Sequence, residues 1–239
     1  IPDDVIKGMA DLGLLGMTVS PEYGGAAADP MMAGIAGEEI ARADVTCATA
    51  VFFLVQASWG YILDRYGKKE VKEEILPKVT KGKAFLGIAT TEPDAGSDLR
   101  SLRTVAKRVG EEYILNGEKM YISGTEEAKK WGGGYFVIAR TSPAPPEASH
   151  RGMSGFYVPL DATGVEVNKR LEDMGRMAIS TGGFMMNNVI IPDHHLIGEV
   201  DKGFYLTMEG FDNARILIAA VCVGAARRAL DIGMEYIKE

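Results

Sequence analysis

The sequence predicts a multidomain α+β protein. It has an N-terminal helical domain over residues 1–83, a middle antiparallel, barrel-like β domain over 84–195, and the incomplete start of a C-terminal helical bundle over 196–239. Three observations predict this. Apolar residues recur at helical spacing as far as Leu76, and at Ala84 the pattern changes to short β-branched runs broken by Gly, Asn and Pro. From Gly203 it returns to helical period, rich in Ala and Leu. That last run reaches Glu239 with neither cap nor stop, so the chain reads as cut inside its third domain.

Asp3 or Asp4 is suited to cap a short helix with Val5, Ile6, Met9 and Leu12 on one apolar face, ending near Gly13. A Gly-rich loop, Pro21 to Ala28, comes next. Asp29-Pro30 then gives an N-cap with proline at the first helical position, and Met32, Ile35, Ala36, Ile40 and Ala43 repeat at helical spacing. Val45 to Leu63 approaches the length of a membrane span, but Thr46, Thr49, Gln56 and Ser58 interrupt it and Asp64-Arg65 follow. A buried central helix closing at Gly67 is the better reading. Lys68 to Leu76 is amphipathic, with Val71 and Ile75 inward and Pro77 as its stop.

Strand-like runs follow at Ala84–Thr91, Leu102–Val109, Tyr113–Leu115, Met120–Ser123, Tyr135–Thr141, Gly155–Leu160, Val165–Asn168 and Phe184–Ile191. Asn116-Gly117 between two of them predicts a hairpin, because that pair suits a tight turn with φ above zero at both residues. Ser142 to Arg151, rich in Pro and Ser, predicts an exposed, mobile loop.

Composition excludes several classes. With 46% hydrophobic residues the chain is not disordered, and a net charge of −7 without a basic stripe argues against a nucleic-acid partner. Cys47 and Cys222 stand far apart in apolar segments, where thiols pack rather than form a disulfide or thiolate metal site. His194 and His195 are adjacent beside Pro192, a surface-loop pattern rather than a ligand spacing, so no metal is expected.

Three motifs carry the chemistry: "TEPDAGSD" at Thr91–Asp98, "GEKMYISG" at Gly117–Gly124 and "FDNAR" at Phe211–Arg215. They stand in that order at the domain junctions. Together they resemble the acyl-CoA dehydrogenase family, flavin enzymes that desaturate acyl thioesters. The resemblance covers essentially the whole chain, and three ordered motifs are far more specific than one.

The resemblance implies FAD. Backbone groups of Ile88, Ala89, Thr90 and Thr91 and the Thr91 hydroxyl would meet the isoalloxazine edge, with Gly96 permitting close approach and Ser97 reaching the pyrophosphate or CoA. Tyr121, Ile122 and Ser123 match the family's usual Trp-Ile-Thr, so the ring would shield the flavin face and the hydroxyl would bond near the reactive nitrogen. Tyr for Trp and Ser for Thr keep a ring and a hydroxyl. The acids of the first motif read as turn and capping groups.

Asp212 and Arg215 match positions that contact CoA. Most of the family takes its proton-abstracting glutamate from beyond the position of Glu239, and a minority carries it one residue before the arginine. Here that residue is Ala214, which cannot act. Glu209, one turn back, is a candidate but reads better as an exposed helical glutamate.

No Lys or Arg stands between Val45 and Leu63, and Phe52, Phe53, Gln56 and Trp59 suggest an apolar, bulky-walled pocket. That favours a short, branched or cyclic acyl group without a distal carboxylate. The family further implies a homotetramer, an electron-transfer flavoprotein as acceptor, and acyl-CoA catabolism in a bacterial cytoplasm or, less favoured, a mitochondrial matrix. Two other readings share these motifs: an acyl-CoA oxidase or other flavin enzyme on the same fold, and a non-catalytic homologue that binds acyl-CoA or a partner.

Overall fold

The computed structural model describes residues 1–144 and 146–239. Helix α1 (Asp3–Asp11) starts after Pro2 with no side-chain cap, so neither Asp3 nor Asp4 caps it. Ile6 and Met9 are buried, whereas Val5 and Leu12 are exposed. The helix ends before Leu12 and Gly13, at a φ of 74°, turns the chain away from the face the periodicity extended.

Helix α2 (Pro30–Ala43) has the expected cap, Asp29 accepting from the Met32 amide at 2.9 Å. Its inward face is Ala33, Gly34, Gly37 and Ala41, while Met32 and Ile35 point outward. The reason is proximity to the long helix at the C-terminal end of the chain. A Cβ at Gly224 on that helix would lie 2.0 Å from the Glu38 carbonyl oxygen, so only small residues fit the seam. Helix α3 (Ala48–Tyr66) is buried on nearly every side and closes at Gly67. Among the described residues, no helix is long and apolar enough to cross a membrane.

Helix α4 (Lys69–Thr80) runs through Pro77 instead of stopping there. Val79 is fully buried beyond the expected end, as is Leu76 at it, and the carbonyl that Pro77 leaves unpaired belongs to exposed Glu73, where water can serve it.

The sheet comprises β1 (Phe85–Ala89), β2 (Val105–Val109), β3 (Glu112–Ser123), β4 (Gly133–Arg140), β5 (Met153–Pro159), β6 (Val165–Val167), β7 (Thr181–Pro192) and β8 (Leu196–Ile197). Its order is β6-β7-β3-β2-β4-β5-β8, with β1 added on β4. The sheet is mainly antiparallel, as expected, with β1 and β2 both running parallel to β4. A helix, α5 (Thr125–Trp131), joins β3 to β4. Seven residues are too few to display a helical period, which is why the sequence concealed it.

Asn116-Gly117 makes no hairpin, and β3 runs straight through it. A tight I′ turn needs φ above zero at both positions, and of the two only Gly117 has it, at 153° in a stretched backbone. Asn116 is spent across the sheet on a bulge in β7: its Oδ1 accepts from the Asn188 amide at 2.8 Å, and Asn188 sits at a φ of 51°. Pairing with β7 shifts by one residue there, from Leu115–Val189 to Gly117–Met186, and shifts back at Tyr121, from Met120–Gly183 to Ile122–Gly182.

Helix α6 (Gly203–Tyr236) completes the chain, lying on α2 and α3. Ile216, Ile218, Val223, Leu230 and Ile232 on it are exposed, and so is Cys222, contrary to the expectation that both thiols pack inside. Pro145 of the Ser142–Arg151 loop lies outside the described residues. The ends of that loop are tied down, Ser142 Oγ donating to both Asp201 oxygens at 2.7 and 2.9 Å and Arg140 donating to the carbonyls of Arg151 and Ser149.

Candidate functional site

The first motif leaves β1 as a tight turn closed by reciprocal backbone bonds between Glu92 and Ala95, at 2.9 and 3.2 Å. Its acids divide by role. Asp98 accepts from the amide of Arg100 and the hydroxyl of Ser101, and Asp94 pairs with Arg103 at 2.8 Å, as turn and capping groups do. Glu92 does something the sequence reading did not anticipate. It is 6% exposed and forms a buried ion pair with Lys119 of β3 at 2.8 Å, Lys119 being wholly buried.

The Glu92 oxygens are otherwise satisfied by the Thr104 amide and hydroxyl and by the Arg103 amide. Lys119 also donates to the Thr90 carbonyl at 3.3 Å, and the Met120 amide donates to the Thr91 carbonyl at 2.9 Å. The first two motifs are therefore stitched into one wall through residues 90–92 and 119–120. Opposite signs at Glu92 and Lys119, in two segments both read as ligand-facing, were the signal for this contact.

On that wall Thr91 is half-buried and its hydroxyl bonds to no described residue. Ser97 is exposed and its hydroxyl is likewise unengaged. A Cβ at Gly96 would meet nothing within 4 Å, so a ligand has room to approach. Ile88 is half-buried, whereas Ala89 and Thr90 are buried. Tyr121 sits in the β3 bulge at a φ of 59° and is 64% exposed, its ring turned out of the sheet. Ile122 points into the core and offers only backbone, and Ser123 is half-buried beside the paired Thr181. An outward Tyr121 ring on a strand bonded to the Thr91 segment, whose hydroxyl is unengaged, fits the edge and face of a flavin.

The third motif opens outward from α6. Asp212 and Arg215 are exposed and bonded to each other at 2.6 Å, with the guanidinium 5.7 Å from the Phe211 ring centroid. Glu209 is not the free surface glutamate expected: it accepts from the Tyr66 hydroxyl at 2.6 Å, at the end of α3. Its hydrogen bond lifts the Tyr66 phenol above the ordinary tyrosine range, aided by burial.

The expected pocket wall is corrected. Phe52 packs against Phe85 and Trp131, Trp59 stacks on Phe136, and the Gln56 amide is used by Leu86 N and Ala84 O. With Phe53 they are buried in the core. A small cavity of about 40 Å³ lies instead against Ser58, Tyr61, Ala33, Asn213 and Leu217, between α2, α3 and α6.

The histidine pair is also not a surface loop. His195 is 4% exposed, Nε2 lies 3.4 Å from Glu74, and the donors of Glu74, His194 and His195 fall within 4.8 Å of one another. Burial pulls the His195 pKa down, against the raising pull of Glu74.

Family models described as the acyl-CoA dehydrogenase N-terminal, middle and C-terminal domains match residues 1–83, 87–189 and 201–239. The chain is 34% identical over 238 residues to a cyclohexane-1-carbonyl-CoA dehydrogenase of Geobacter metallireducens, covering 99% of this chain and 60% of that protein. It is 32% identical to an acryloyl-CoA reductase (NADH) of Anaerotignum propionicum, covering all of this chain and 59% of that one. Among solved structures, an acyl-CoA dehydrogenase from Geobacillus kaustophilus superposes with a TM-score of 0.88 at 30% identity, over 100% of this chain and 61% of that chain. The chain thus spans about three fifths of the length of the curated relatives it matches. Joined motifs, matched domains in order and a shared fold along its whole length agree: the chain belongs to the acyl-CoA dehydrogenase family.

Proposed function

We propose that the protein is an FAD-dependent dehydrogenase that introduces an α,β double bond into an acyl-CoA thioester, with this chain supplying the flavin-side wall and one edge of the CoA site. The observation that carries this reading is the bulge at Tyr121. It presents an aromatic ring outward from a strand whose Met120 holds Thr91 and whose Ser123 carries an unused hydroxyl proton. A bound flavin supplies the two-electron acceptor for the hydride that leaves the substrate β-carbon.

On this reading the backbone of Ile88, Ala89, Thr90 and Thr91 and the Thr91 hydroxyl hold the flavin edge. Gly96 admits the ligand, and Ser97 binds pyrophosphate or CoA. Tyr121 covers the ring face, Ile122 contributes its amide and carbonyl, and Ser123 donates its proton. Asp212 and Arg215 take the CoA moiety. None of residues 1–239 is assigned as base, since Ala214 has no acid and Glu209 is held by Tyr66.

A short, branched or cyclic acyl group is favoured by similarity to a cyclohexane-1-carbonyl-CoA dehydrogenase. An electron-transfer flavoprotein as acceptor, a tetrameric assembly and a cytoplasmic setting belong to the same proposal.

Anaerobic titration of the full-length, FAD-loaded protein with cyclohexane-1-carbonyl-CoA, butyryl-CoA and glutaryl-CoA tests it. The flavin absorbance should bleach with one of the first two. Bleaching with none of a wider thioester panel defeats the proposal, faster reoxidation by oxygen than by an electron-transfer flavoprotein turns it into an oxidase, and a colourless protein that takes up no FAD points to a non-catalytic homologue.

In the same titration Arg215→Ala should weaken acyl-CoA binding by roughly 10- to 100-fold, the worth of a hydrogen bond to a charged group. FAD content and unfolding temperature should hardly move, because an exposed pair such as Asp212–Arg215 contributes about 0–1 kcal/mol. Loss of FAD from this variant would make the arginine structural.

A further inference from the structure

The segment between β6 and β7 sends an arginine back onto the flavin-side wall. Arg176, in a left-handed backbone at a φ of 47°, donates from one guanidinium nitrogen to Ser123 Oγ at 3.1 Å and from another to Thr181 Oγ1 at 3.0 Å. Ser123 and Thr181 are directly paired across β3 and β7, so one planar fork spans two neighbouring hydroxyls.

The two hydroxyls differ in what they do with their own protons. Thr181 donates to Asp173 Oδ2 at 2.7 Å and is fully used. Ser123 donates to no described residue, and its backbone carbonyl is fixed separately by the Tyr135 hydroxyl at 3.1 Å. A hydroxyl whose oxygen already accepts from a cation keeps its proton free, and that proton is available to an acceptor in front of it. The guanidinium contacts neutral hydroxyls and makes no direct ion pair among the described residues; the Asp173 carboxylate is reached through Thr181 Oγ1.

We infer that Arg176 is a positioning residue for the redox centre. By holding Ser123 Oγ and Thr181 Oγ1 together it directs the Ser123 proton at the flavin, and its positive charge, in direct contact only with hydroxyls, favours the reduced cofactor. This rests on the reading of Ser123 as flavin-facing. The physical basis is that negative charge builds on the flavin as it is reduced, and a preoriented donor backed by a cation stabilises that charge more than it stabilises the oxidised form. Arg176 touches no substrate on this account and acts through Ser123.

The test is the two-electron midpoint potential of the full-length, FAD-loaded protein, measured by dye equilibration beside FAD content. Arg176→Gln should shift the oxidised–reduced balance at least tenfold toward oxidised, about 30 mV lower for a two-electron couple, with FAD retained. Arg176→Lys keeps the charge but cannot span both hydroxyls, and should fall between. In a Ser123→Ala background the effect of Arg176→Gln should shrink.

If Ser123→Ala shifts the potential and Arg176→Gln does not, the inference is overturned. If Arg176→Gln acts equally in both backgrounds, or both arginine variants lose FAD, the arginine does not work through Ser123 and the inference is overturned as well. If Ser123→Ala changes neither the potential nor the flavin spectrum, the underlying placement of the flavin fails.

Discussion

Lys119→Ala is expected to cost the full-length protein about 3–5 kcal/mol of stability, the range for breaking a buried ion pair by removing one partner. The loss is not mainly the attraction itself. It comes from leaving the Glu92 carboxylate inside the protein, 6% exposed, with only Thr104 and the Arg103 amide to compensate it. Removing both charges together in Glu92→Gln/Lys119→Met should recover much of the loss. Guanidinium unfolding of the three proteins measures both effects, and a cost below about 1 kcal/mol for Lys119→Ala would put the pair in the class of surface bridges.

Acid titration gives a second handle on the same pair. Burial pushes the Glu92 carboxyl up, but the Lys119 ammonium and the hydrogen bonds from Thr104 and Arg103 outweigh it and hold the group below its ordinary 4.5. A depressed carboxyl contributes stability that is present above the unfolded value and is lost as pH falls through the folded one. Glu92→Gln should therefore flatten the acid limb of the stability curve below about pH 4.5. Lys119 responds in the other window. Burial brings its ammonium down from 10.5 to about 8 against the pull of Glu92, so between those values the unfolded chain holds more protons and this group alone makes stability rise with pH.

Trp59→Ala should be comparably severe, about 3–5 kcal/mol for deleting a buried indole. Trp59 of α3 stacks on Phe136 of β4 at 5.0 Å between ring centroids and meets Phe211 of α6 edge-on at 6.2 Å. A Cβ at Gly210 would lie 2.5 Å from its ring, so α6 crosses directly over the indole. The indole is where the helical layer, the sheet and the "FDNAR" segment meet. Trp59→Phe should retain part of the contact and lose less. Unfolding curves read alongside acyl-CoA affinity would check this, and a variant that loses affinity without losing stability would contradict the packing account.

Much of the fold is legible in the sequence wherever one residue dominates its own neighbourhood. Asp29-Pro30 starts α2 as read, and the apolar run closing at Gly67 is the central helix. Legibility fails where tertiary contact decides. Met32 and Ile35 lose the inward face of α2 to glycines and alanines because α6 approaches too closely for larger side chains. Asn116-Gly117 has hairpin chemistry, yet Asn116 is recruited by Asn188, 72 residues away in the chain. Pro77 cannot stop α4 once Leu76 and Val79 are both buried.

The same division holds for the site. Thr91, Ser97, Tyr121 and Ser123, the proposed flavin-side residues, are named by motif alone. The Glu92–Lys119 pair, the hold of Tyr66 on Glu209 and the fork of Arg176 are made by distant segments and leave no local pattern. Phe52, Gln56 and Trp59 misled because a bulky apolar side chain is equally suited to a pocket wall and to a core, and only packing chooses between them.

The two irregularities in the β3–β7 ladder are of opposite sense. At Asn187–Asn188 the extra residue is on β7, and at Tyr121 it is on β3, so the pairing steps out by one and then back. In a geneticist's terms they are a mutation and its suppressor, written into one domain. Deleting Tyr121 alone leaves the ladder beyond it out of phase, and deleting Asn188 alone displaces the segment between. Losing both lets the strands zip evenly, at the price of the outward ring. Length changes in this pair of strands should therefore be tolerated only when they arrive as matched partners.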